Sequence, residues 1–345
     1  MKDRNGHNKE AKKTAALNKA HMDSYRLYST RCFGILVCLI VTFLLLFTPF
    51  TAAAGIKETS YVYNLANFNG LILAQWVNIY VDKERAETYV IDPILRDIKI
   101  FDRNGMEIYV FGDDGSLGYI TDLTVDHDGN IIIISKMDKE IKIIRCNYRG
   151  EPIATIELKN LPPELSDFMP DRIVYRGGKL YMAETHSLSI AVADLNGQFE
   201  KGYDIAPMIK VADNKRDENE MTGFNVDRDG NMLFTISVQF QAYRLSPDGT
   251  IESFGKAGSG PGTFGINAGI ASDNKGYIYV SDKLRCVVLV FNNDLTFLRE
   301  FGYRGNQPSN LVVPNDIDTD NNGNVYVSQG ALRGISVYKM LYTND

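Results

Sequence analysis

The chain has 345 residues, of which 44% are hydrophobic, so it is long enough to bury a large core. Its formal charge of −6 argues against a general nucleic-acid-binding protein. The charge is unevenly distributed: residues 1–31 carry eight Lys/Arg and three Asp/Glu, residues 32–54 carry none, and residues 55–345 carry 29 basic and 40 acidic residues. We therefore expect a basic tail, an uncharged segment and an acidic body.

The uncharged segment at 32–54 has the length of a membrane span. Phe33 to Phe50 gives 18 residues without a charge, about 27 Å of helix, which is enough to cross a bilayer core. Basic residues precede it up to Arg31, so the positive-inside rule places the N-terminus in the cytoplasm and exports the body. We predict an N-terminal hydrophobic helix that tethers the body to the inner membrane.

A cleaved signal peptide is the alternative. The stretch "TAAAG", residues 51–55, resembles a small-residue cleavage site, and cleavage after Ala54 would release a secreted or periplasmic body. The basic segment that precedes the hydrophobic one is long for a cleaved signal, which favours the retained anchor. The body has only two cysteines, Cys146 and Cys286, and no Asn-X-Ser/Thr acceptor, which favours a bacterial periplasmic or cell-surface protein.

The body repeats one frame six times. In "SDNKGYIYVSDKLRCVVLVF", residues 272–291, a turn residue (Gly276) is followed by a polar residue six positions on (Asp282) and by an apolar residue fifteen positions on (Phe291). The turn positions of the six copies are Ala86, Gly129, Gly178, Gly230, Gly276 and Gly323. Short β-branched and aromatic runs at this spacing, with no sustained helical period, predict an all-β, six-bladed β-propeller over residues 55–345.

The sixth copy is one strand short. Only five residues follow "ISVYKM", so its outer strand is missing from the C-terminus. The segment "ETSYVYNL", residues 58–65, precedes the first blade and has no partner there. We predict that it completes the last blade and closes the ring, which removes an exposed sheet edge.

Residues 60–345 resemble the NHL-repeat family, most strongly in blades five and six, whereas blades three and four are degenerate. The stretch "FGKAGSGPGTFGINAGIASDNKGYIYVSDKLRCVVLVF", residues 254–291, follows that family's pattern, with Asn267 where the family places Pro and Val287 where it places Arg. The resemblance implies that "KAGSGPGTFG", residues 256–265, connects the outer strand of one blade to the inner strand of the next. A phosphate-binding loop does not fit, because no helix follows these glycines.

Aligning the copies identifies a candidate metal site. Seven residues before the turn, two copies have Gly223 and Gly269, whereas three have Asp122, Asp171 and Asp316. This position begins the innermost strand near the mouth of the central channel, so the three carboxylates are predicted to converge and to bind Ca²⁺. Neutral oxygen ligands could come from Asn225, Asn267 and Asn315. Alternatively, each aspartate caps a local turn or faces water.

A second aspartate column is expected to be structural. It lies three residues before the turn and should accept backbone hydrogen bonds within that turn. Its members are Asp126, Asp227, Asp273 and Asp320.

The sequence favours binding over catalysis. The body has only two histidines, His127 and His186. Six-bladed propellers that act as lyases bind zinc through several histidines, and this body cannot supply three. Lactonase-like propellers hold calcium through Glu, Asn and Asp, so Glu184 and the aspartates keep a Ca²⁺-dependent hydrolase as the alternative. Our main prediction is an exported, membrane-tethered scaffold that binds a protein or ligand in the periplasm or at the cell surface.

Two long insertions are candidate binding loops. Residues 159–171 link blades two and three, and residues 207–223 link blades three and four. Long loops on a rigid scaffold are where binding usually occurs. A disordered charged loop is the alternative for the second insertion.

Overall fold

The computed structural model describes residues 55–343 except residues 113, 138 and 139. The predicted basic tail at 1–31 and the predicted hydrophobic helix at 32–54 lie outside the described residues. Within the described part of the chain, no helix is long and apolar enough to span a bilayer. Gly55–Asp345 forms one compact unit, which consists of six four-stranded antiparallel sheets.

Each sheet is one propeller blade, and the strands of a blade follow one another outwards from the channel. In blades one to three they are β4 (Asn78–Asp82), β5 (Glu87–Asp92), β6 (Asp97–Phe101) and β7 (Glu107–Phe111); β8 (Tyr119–Val125), β9 (Ile131–Met137), β10 (Glu140–Cys146) and β11 (Pro152–Ile156); β12 (Arg172–Arg176), β13 (Lys179–Glu184), β14 (Ser189–Asp194) and β15 (Phe199–Asp204).

Blades four to six have the same order, except that the outer strand of blade six, β1, comes from the beginning of the described chain. Their strands are β16 (Met221–Val226), β17 (Met232–Ile236), β18 (Gln241–Leu245) and β19 (Ile251–Phe254); β20 (Asn267–Ser272), β21 (Ile278–Asp282), β22 (Val287–Phe291) and β23 (Phe297–Phe301); β24 (Pro314–Thr319), β25 (Asn324–Gln329), β26 (Ile335–Tyr342) and β1 (Ile56–Asn64). The inner strands of neighbouring blades pack against each other around the channel.

A few short elements lie outside the blades. They are the two-stranded hairpin of β2 (Ala66–Asn67) and β3 (Gly70–Leu71), the helix α1 (Ile205–Met208), and the 3₁₀ turns Pro163–Leu165, Asp213–Lys215, Asp217–Asn219 and Ser237–Gln239. The helix and three of the four 3₁₀ turns belong to the segments between blades two and three or between blades three and four.

The predicted ring closure is confirmed. Strand β1 pairs antiparallel with β26, with Tyr61 opposite Tyr338 and Asn64 opposite Ser336. The two ends of the unit also meet, since the N–H of Thr343 donates to the carbonyl of Gly55 at 2.7 Å. Blade six therefore gains the outer strand that its own sequence lacks, and β26 is not left as an open edge.

The core lies between blades, and the strand period explains how it is shared. In β9, four consecutive isoleucines are fully buried. Ile131 and Ile133 pack into one apolar cluster, and Ile132 and Ile134 pack into another, because alternate side chains of a strand point to opposite faces of the sheet. A continuous apolar run in the sequence thus corresponds to a strand covered by a blade on each side.

The turns and connectors follow the sequence predictions. Each aspartate of the second column accepts backbone N–H bonds from residues two and four positions further on, for example Asp320 from Asn322 and Asn324, both at 2.8 Å. Residues 256–265 connect the outer strand of blade four to the inner strand of blade five, as predicted. Gly255, just before this connector, has φ +83°, and a Cβ there would lie 2.1 Å from the ring of Phe264.

Candidate functional site

The central channel widens into a cavity at each end. The upper cavity, where the inner strands begin, has a volume of about 240 Å³. The lower cavity, beside the turns that follow the inner strands, has a volume of about 130 Å³. Both cavities share the lining residues Tyr80, Val174, Asn225 and Asp318, so they are two ends of one channel. The upper cavity lies at the end of the channel where the sequence predicts the candidate metal site.

Two of the three predicted metal ligands line the upper cavity, and each one fastens neighbouring blades together. Oδ2 of Asp122 accepts a hydrogen bond from the N–H of Ile173, at 2.8 Å, across the seam between blades two and three. Oδ2 of Asp316 accepts one from the N–H of Ile79, also at 2.8 Å, across the seam between blades six and one. Both carboxylates therefore add a hydrogen bond between adjacent inner strands.

The third predicted ligand, Asp171, is oriented differently. Its Oδ2 accepts a hydrogen bond from the hydroxyl of Thr185 at 2.6 Å, and Asp171 is not among the residues that line the upper cavity. The next residue, Arg172, does line the cavity. Its Nη1 donates to the carbonyl of Asp171 at 2.9 Å and lies 3.7 Å from Oδ1 of the same residue.

A guanidinium therefore lies among the three predicted ligands. Burial disfavours the charge of Arg172, but Asp122, Asp171 and Asp316 together hold the pKa of this side chain above its usual value. Among the residues that the structure describes, no group of three or more His, Cys, Asp or Glu side chains could hold a metal ion. The calcium site stays a prediction from the sequence, and the side chain beside these carboxylates is itself a cation.

Burial also changes the titration of the two bridging carboxylates. It raises the pKa of Asp122 to about 7 and the pKa of Asp316 to about 6, and the nearby charge of Arg172 opposes both shifts. Protein atoms surround each carboxylate, although part of its surface faces the cavity. Both groups thus change charge close to neutral pH.

The four predicted neutral or acidic binding residues divide into two pairs. Asn225 and Asn315 line the upper cavity. Asn267 is fully buried, and its amide donates to the carbonyl of Gln241 at 2.7 Å between blades four and five. Oε2 of Glu184 accepts from the N–H of Met169 at 3.2 Å, outside the cavity. Two of the four therefore belong to the site, and the other two support loops or seams.

Two cations at this site, Arg172 and Lys283, were not predicted from the sequence. Nζ of Lys283 lies 5.9 Å from the centre of the Trp76 ring, and burial lowers the pKa of this lysine. Within the described residues, Nζ of Lys283 has no hydrogen-bond partner and no salt bridge. Each cation directly follows an aligned aspartate, Asp171 or Asp282, and that adjacency is the pattern that could have identified them.

The second insertion folds onto blade three rather than extending as a loose loop. The guanidinium of Arg216 binds the carboxylate of Asp204 through two hydrogen bonds, of 2.6 and 2.8 Å, and donates to the carbonyl of Ser187 at 2.7 Å. This anchor brings Glu220 to the wall of the upper cavity, where it lies 3.4 Å from the ring of His186. The disordered alternative does not describe this loop.

The glycines of the aligned column have a packing role. A Cβ on Gly269 would lie 2.8 Å from the carbonyl oxygen of Asn315, and one on Gly223 would lie 2.4 Å from that of Ala268. The inner strands of blades four, five and six are thus in backbone contact. The ring closes through glycine at these two seams and through aspartate at the two seams described above.

An exposed apolar surface lies beside the upper cavity, over blades five and six and the connector into blade one. Its side chains are between 42% and 69% exposed, and we call it the mouth patch: Leu73, Trp76, Ile266, Leu284, Tyr303 and Leu332. The loops that carry it touch one another, since Arg304 donates to the carbonyl of Leu284 at 3.1 Å and the Trp76 ring packs on Gly330.

The loops of the mouth patch are basic. Residues 255–266, 283–286, 302–313 and 330–334 contain no Asp or Glu, but they contain Lys256, Lys283 and Arg304 among their cations. This distribution contrasts with the acidic body as a whole. The patch therefore combines apolar contact area with positive charge.

Comparison with known proteins supports the fold. No family model and no curated protein matches this chain. A structural genomics protein of unknown function from Bacteroides thetaiotaomicron superposes with a TM-score of 0.60 at 12% identity, covering 82% of this chain and 77% of that one. A gluconolactonase from Xanthomonas campestris gives a TM-score of 0.54 at 13% identity, covering 84% of this chain and 97% of that one.

A third similar structure is a catalytically inactive virginiamycin B lyase from Staphylococcus aureus with quinupristin. Its TM-score is 0.53 at 13% identity, and the match covers 85% of this chain and 97% of that one. At such low identities these similarities establish the β-propeller fold alone.

Proposed function

We propose that this protein is an exported, membrane-tethered propeller that docks a protein partner on the mouth patch and has no catalysis of its own. The mouth patch is the observation that carries the proposal. It presents six exposed apolar side chains, including the only tryptophan of the chain, on loops beside the upper cavity. Contiguous exposed apolar surface rimmed by polar residues is typical of interaction sites, and Trp and Tyr are common at their energetic centres.

The charge of the patch indicates the chemistry of the partner. Lys256, Lys283 and Arg304 belong to loops that have no acidic residue. A partner segment with apolar and acidic side chains would match both properties, and charge complementarity of this kind selects partners and accelerates association. We therefore propose an acidic, apolar segment of another protein as the occupant.

The start of the described chain is compatible with an N-terminal tether. The N–H of Gly55 donates to Oγ1 of Thr343 at 2.8 Å, beside the end of β26, whereas Asn64 at the other end of β1 pairs near the start of β26. Gly55 therefore lies on the face of the propeller opposite the mouth patch. Export, with the N-terminus inside and residues 32–54 retained in the inner membrane or cleaved after Ala54, is part of this proposal.

Calcium-dependent hydrolysis is the second candidate. The similarity to a gluconolactonase and the position of Asp122 and Asp316 in the upper cavity favour it. Binding without catalysis has the stronger support, because both carboxylates hold backbone N–H groups and Arg172 already lies beside them. The NHL resemblance of blade five belongs to the same proposal and is compatible with either candidate.

Matched charge variants test the docking proposal. Leu284→Glu places a negative charge in the mouth patch, where Leu284 is 56% exposed, and Ile153→Glu does the same on the outer strand of blade two, where Ile153 is 54% exposed. After crosslinking in a bacterial membrane, we expect one partner to be recovered with the wild type and with I153E but lost with L284E. Equal recovery with L284E, or equal loss with both variants, would overturn the proposal.

A further inference from the structure

We propose that the upper cavity binds a carboxylate group between Arg172 and Lys283, supplied either by a small organic acid or by an acidic side chain of a docked partner. This inference goes beyond the proposed function, because the site is defined by the cavity and its cations and not by the apolar surface around it. Four observations lead to it: the cations have free hydrogen-bond donors, the acids bind other groups, and the size and the charge of the cavity limit the ligand.

The two cations have hydrogen-bonding capacity to spare. Arg172 uses Nη1 to bind the carbonyl of Asp171, while the described residues provide no partner for its Nε or Nη2. Lys283 faces the cavity and the Trp76 ring, and the same part of the chain provides no acceptor for its Nζ. Both residues line the upper cavity, so their free donors can converge on one ligand.

The neighbouring acids are engaged elsewhere. Asp316 accepts backbone N–H bonds with both oxygens, from Ile79 at 2.8 Å and from Ile317 at 2.9 Å. Asp122 accepts from Ile173, and Glu220 lies beside the ring of His186. No described acid satisfies the free donors of the two cations, and this leaves the position of an anion open.

The cavity limits the ligand to a compact group. Its volume of about 240 Å³ is below the range of about 300–1,000 Å³ that is typical of pockets for drug-sized ligands. The side-chain amides of Asn225 and Asn315 also line it and can bind a hydroxyl or amide group of the ligand.

The acids of the cavity favour a ligand of low charge. Arg172 and Lys283 share the cavity with Asp122, Asp316 and Glu220, so an anion is held by direct hydrogen bonds to the two cations and not by net positive charge. A phosphate, which carries up to two negative charges near neutral pH, meets more repulsion from these acids than a carboxylate does. Arginine also binds carboxylates through two parallel hydrogen bonds, which gives such a contact its orientation. A carboxylate therefore fits the site better than a phosphate.

Trp76 provides the measurement. It is the only tryptophan of the full chain and lies 5.9 Å from Nζ of Lys283, so its fluorescence reports on the cavity without a label. The full-length protein in detergent is titrated with acetate, lactate and N-acetyl-aspartate amide at constant ionic strength. Sodium chloride and inorganic phosphate serve as reference anions.

We expect saturable changes in Trp76 emission with the carboxylates. Lys283→Gln and Arg172→Gln should each weaken binding about tenfold or more, because each removes a hydrogen bond to a charged group. Lys57→Gln, at an exposed lysine in β1 that belongs to neither the cavity nor the mouth patch, should bind as the wild type does. If Arg172→Gln does not fold, Arg172→Lys keeps the charge, removes the paired donors and should weaken binding by a smaller factor.

The two sources of the carboxylate give different results. Tighter binding of lactate and acetate identifies a small acid, whereas tighter binding of the blocked aspartate identifies a side chain of a partner. The proposal is overturned if chloride produces the same change, if Lys283→Gln binds like the wild type, or if phosphate binds more tightly than the carboxylates. The L284E variant separates this result from the docking proposal, since Leu284 does not line the cavity.

Discussion

Asp316 in blade six accepts a hydrogen bond from the backbone N–H of Ile79 in blade one, at 2.8 Å and across 237 residues of sequence. Two residues further along the same strand, Asp318 accepts a hydrogen bond from the N–H of Val81 at the same distance. The ring is therefore closed twice: by these carboxylates at the channel and by the pairing of β1 with β26 at the rim. The inner closure explains why aspartate stands at a position that is glycine in blades four and five.

The first prediction concerns this inner closure. Asp316→Ala leaves the N–H groups of Ile79 and Ile317 without their acceptor, and we expect a loss of about 1–3 kcal/mol in the free energy of unfolding. Asp316→Asn retains one acceptor oxygen and should lose less. Denaturant unfolding of both variants measures the difference. An alanine variant as stable as the wild type would show that the hydrogen bond across the seam contributes nothing.

The second prediction concerns pH and Asp122. Burial raises the pKa of this carboxyl to about 7 in the folded protein, against about 4 in an unfolded chain. The folded state holds a proton that the unfolded state releases, so this group's contribution to stability decreases as the pH rises from about 4 to about 7 and is constant above that. Asp122→Asn keeps the acceptor for Ile173 but does not titrate.

We therefore expect the stability of Asp122→Asn relative to the wild type to increase between pH 5 and pH 8, because only the wild type loses stability over this range. A gain of about 1–2 kcal/mol corresponds to about 2–4 °C in Tm for a domain of this size. Thermal melts at the two pH values measure it, with the exposed Asp217→Asn as the control. An equal difference at both pH values would mean that Asp122 is not the titrating group.

The sequence was sufficient to predict the fold, because patterns within each blade determine it. The frame around Gly276 recurs in each blade, and turn aspartates such as Asp320 bind neighbours two and four residues away. The missing outer strand of blade six could be predicted because too few residues follow "ISVYKM" to form another strand. All of these depend on contacts within one blade or on closing the ring.

The site was harder to predict because its contacts cross between blades. Whether an aligned aspartate binds a cation or the next strand depends on the distance between inner strands, which the sequence of one blade does not contain. Asp122 and Asp316 line the upper cavity, but their hydrogen bonds to blades three and one were not foreseen. Arg172 was missed because it follows the aligned position instead of occupying it.

The third prediction concerns the outer closure. Removing residues 56–64 deletes β1 and uncovers β26, in which Val337, Tyr338 and Met340 are at most 2% exposed. Each buried apolar side chain contributes about 1.5–3 kcal/mol, so we expect a loss of at least about 3 kcal/mol and association through the new edge. Phe68→Ser, at a side chain that is 99% exposed, is the control and should melt as the wild type does. A truncated protein that keeps its Tm and stays monomeric would contradict this role of β1.

The fourth prediction concerns calcium. We expect millimolar Ca²⁺ to leave the Tm of the wild type unchanged, because the guanidinium of Arg172 already compensates Asp122, Asp171 and Asp316. Arg172→Gln removes that positive charge and leaves three carboxylates that repel one another. This variant should gain a Ca²⁺-dependent rise in Tm, since a ligand that binds only the folded state stabilises it by mass action. Thermal melts with Ca²⁺ and with Mg²⁺, at equal ionic strength, measure the effect. A wild-type protein that Ca²⁺ stabilises, with the effect lost in Asp171→Asn, would instead establish the calcium site predicted from the sequence and strengthen the hydrolase candidate.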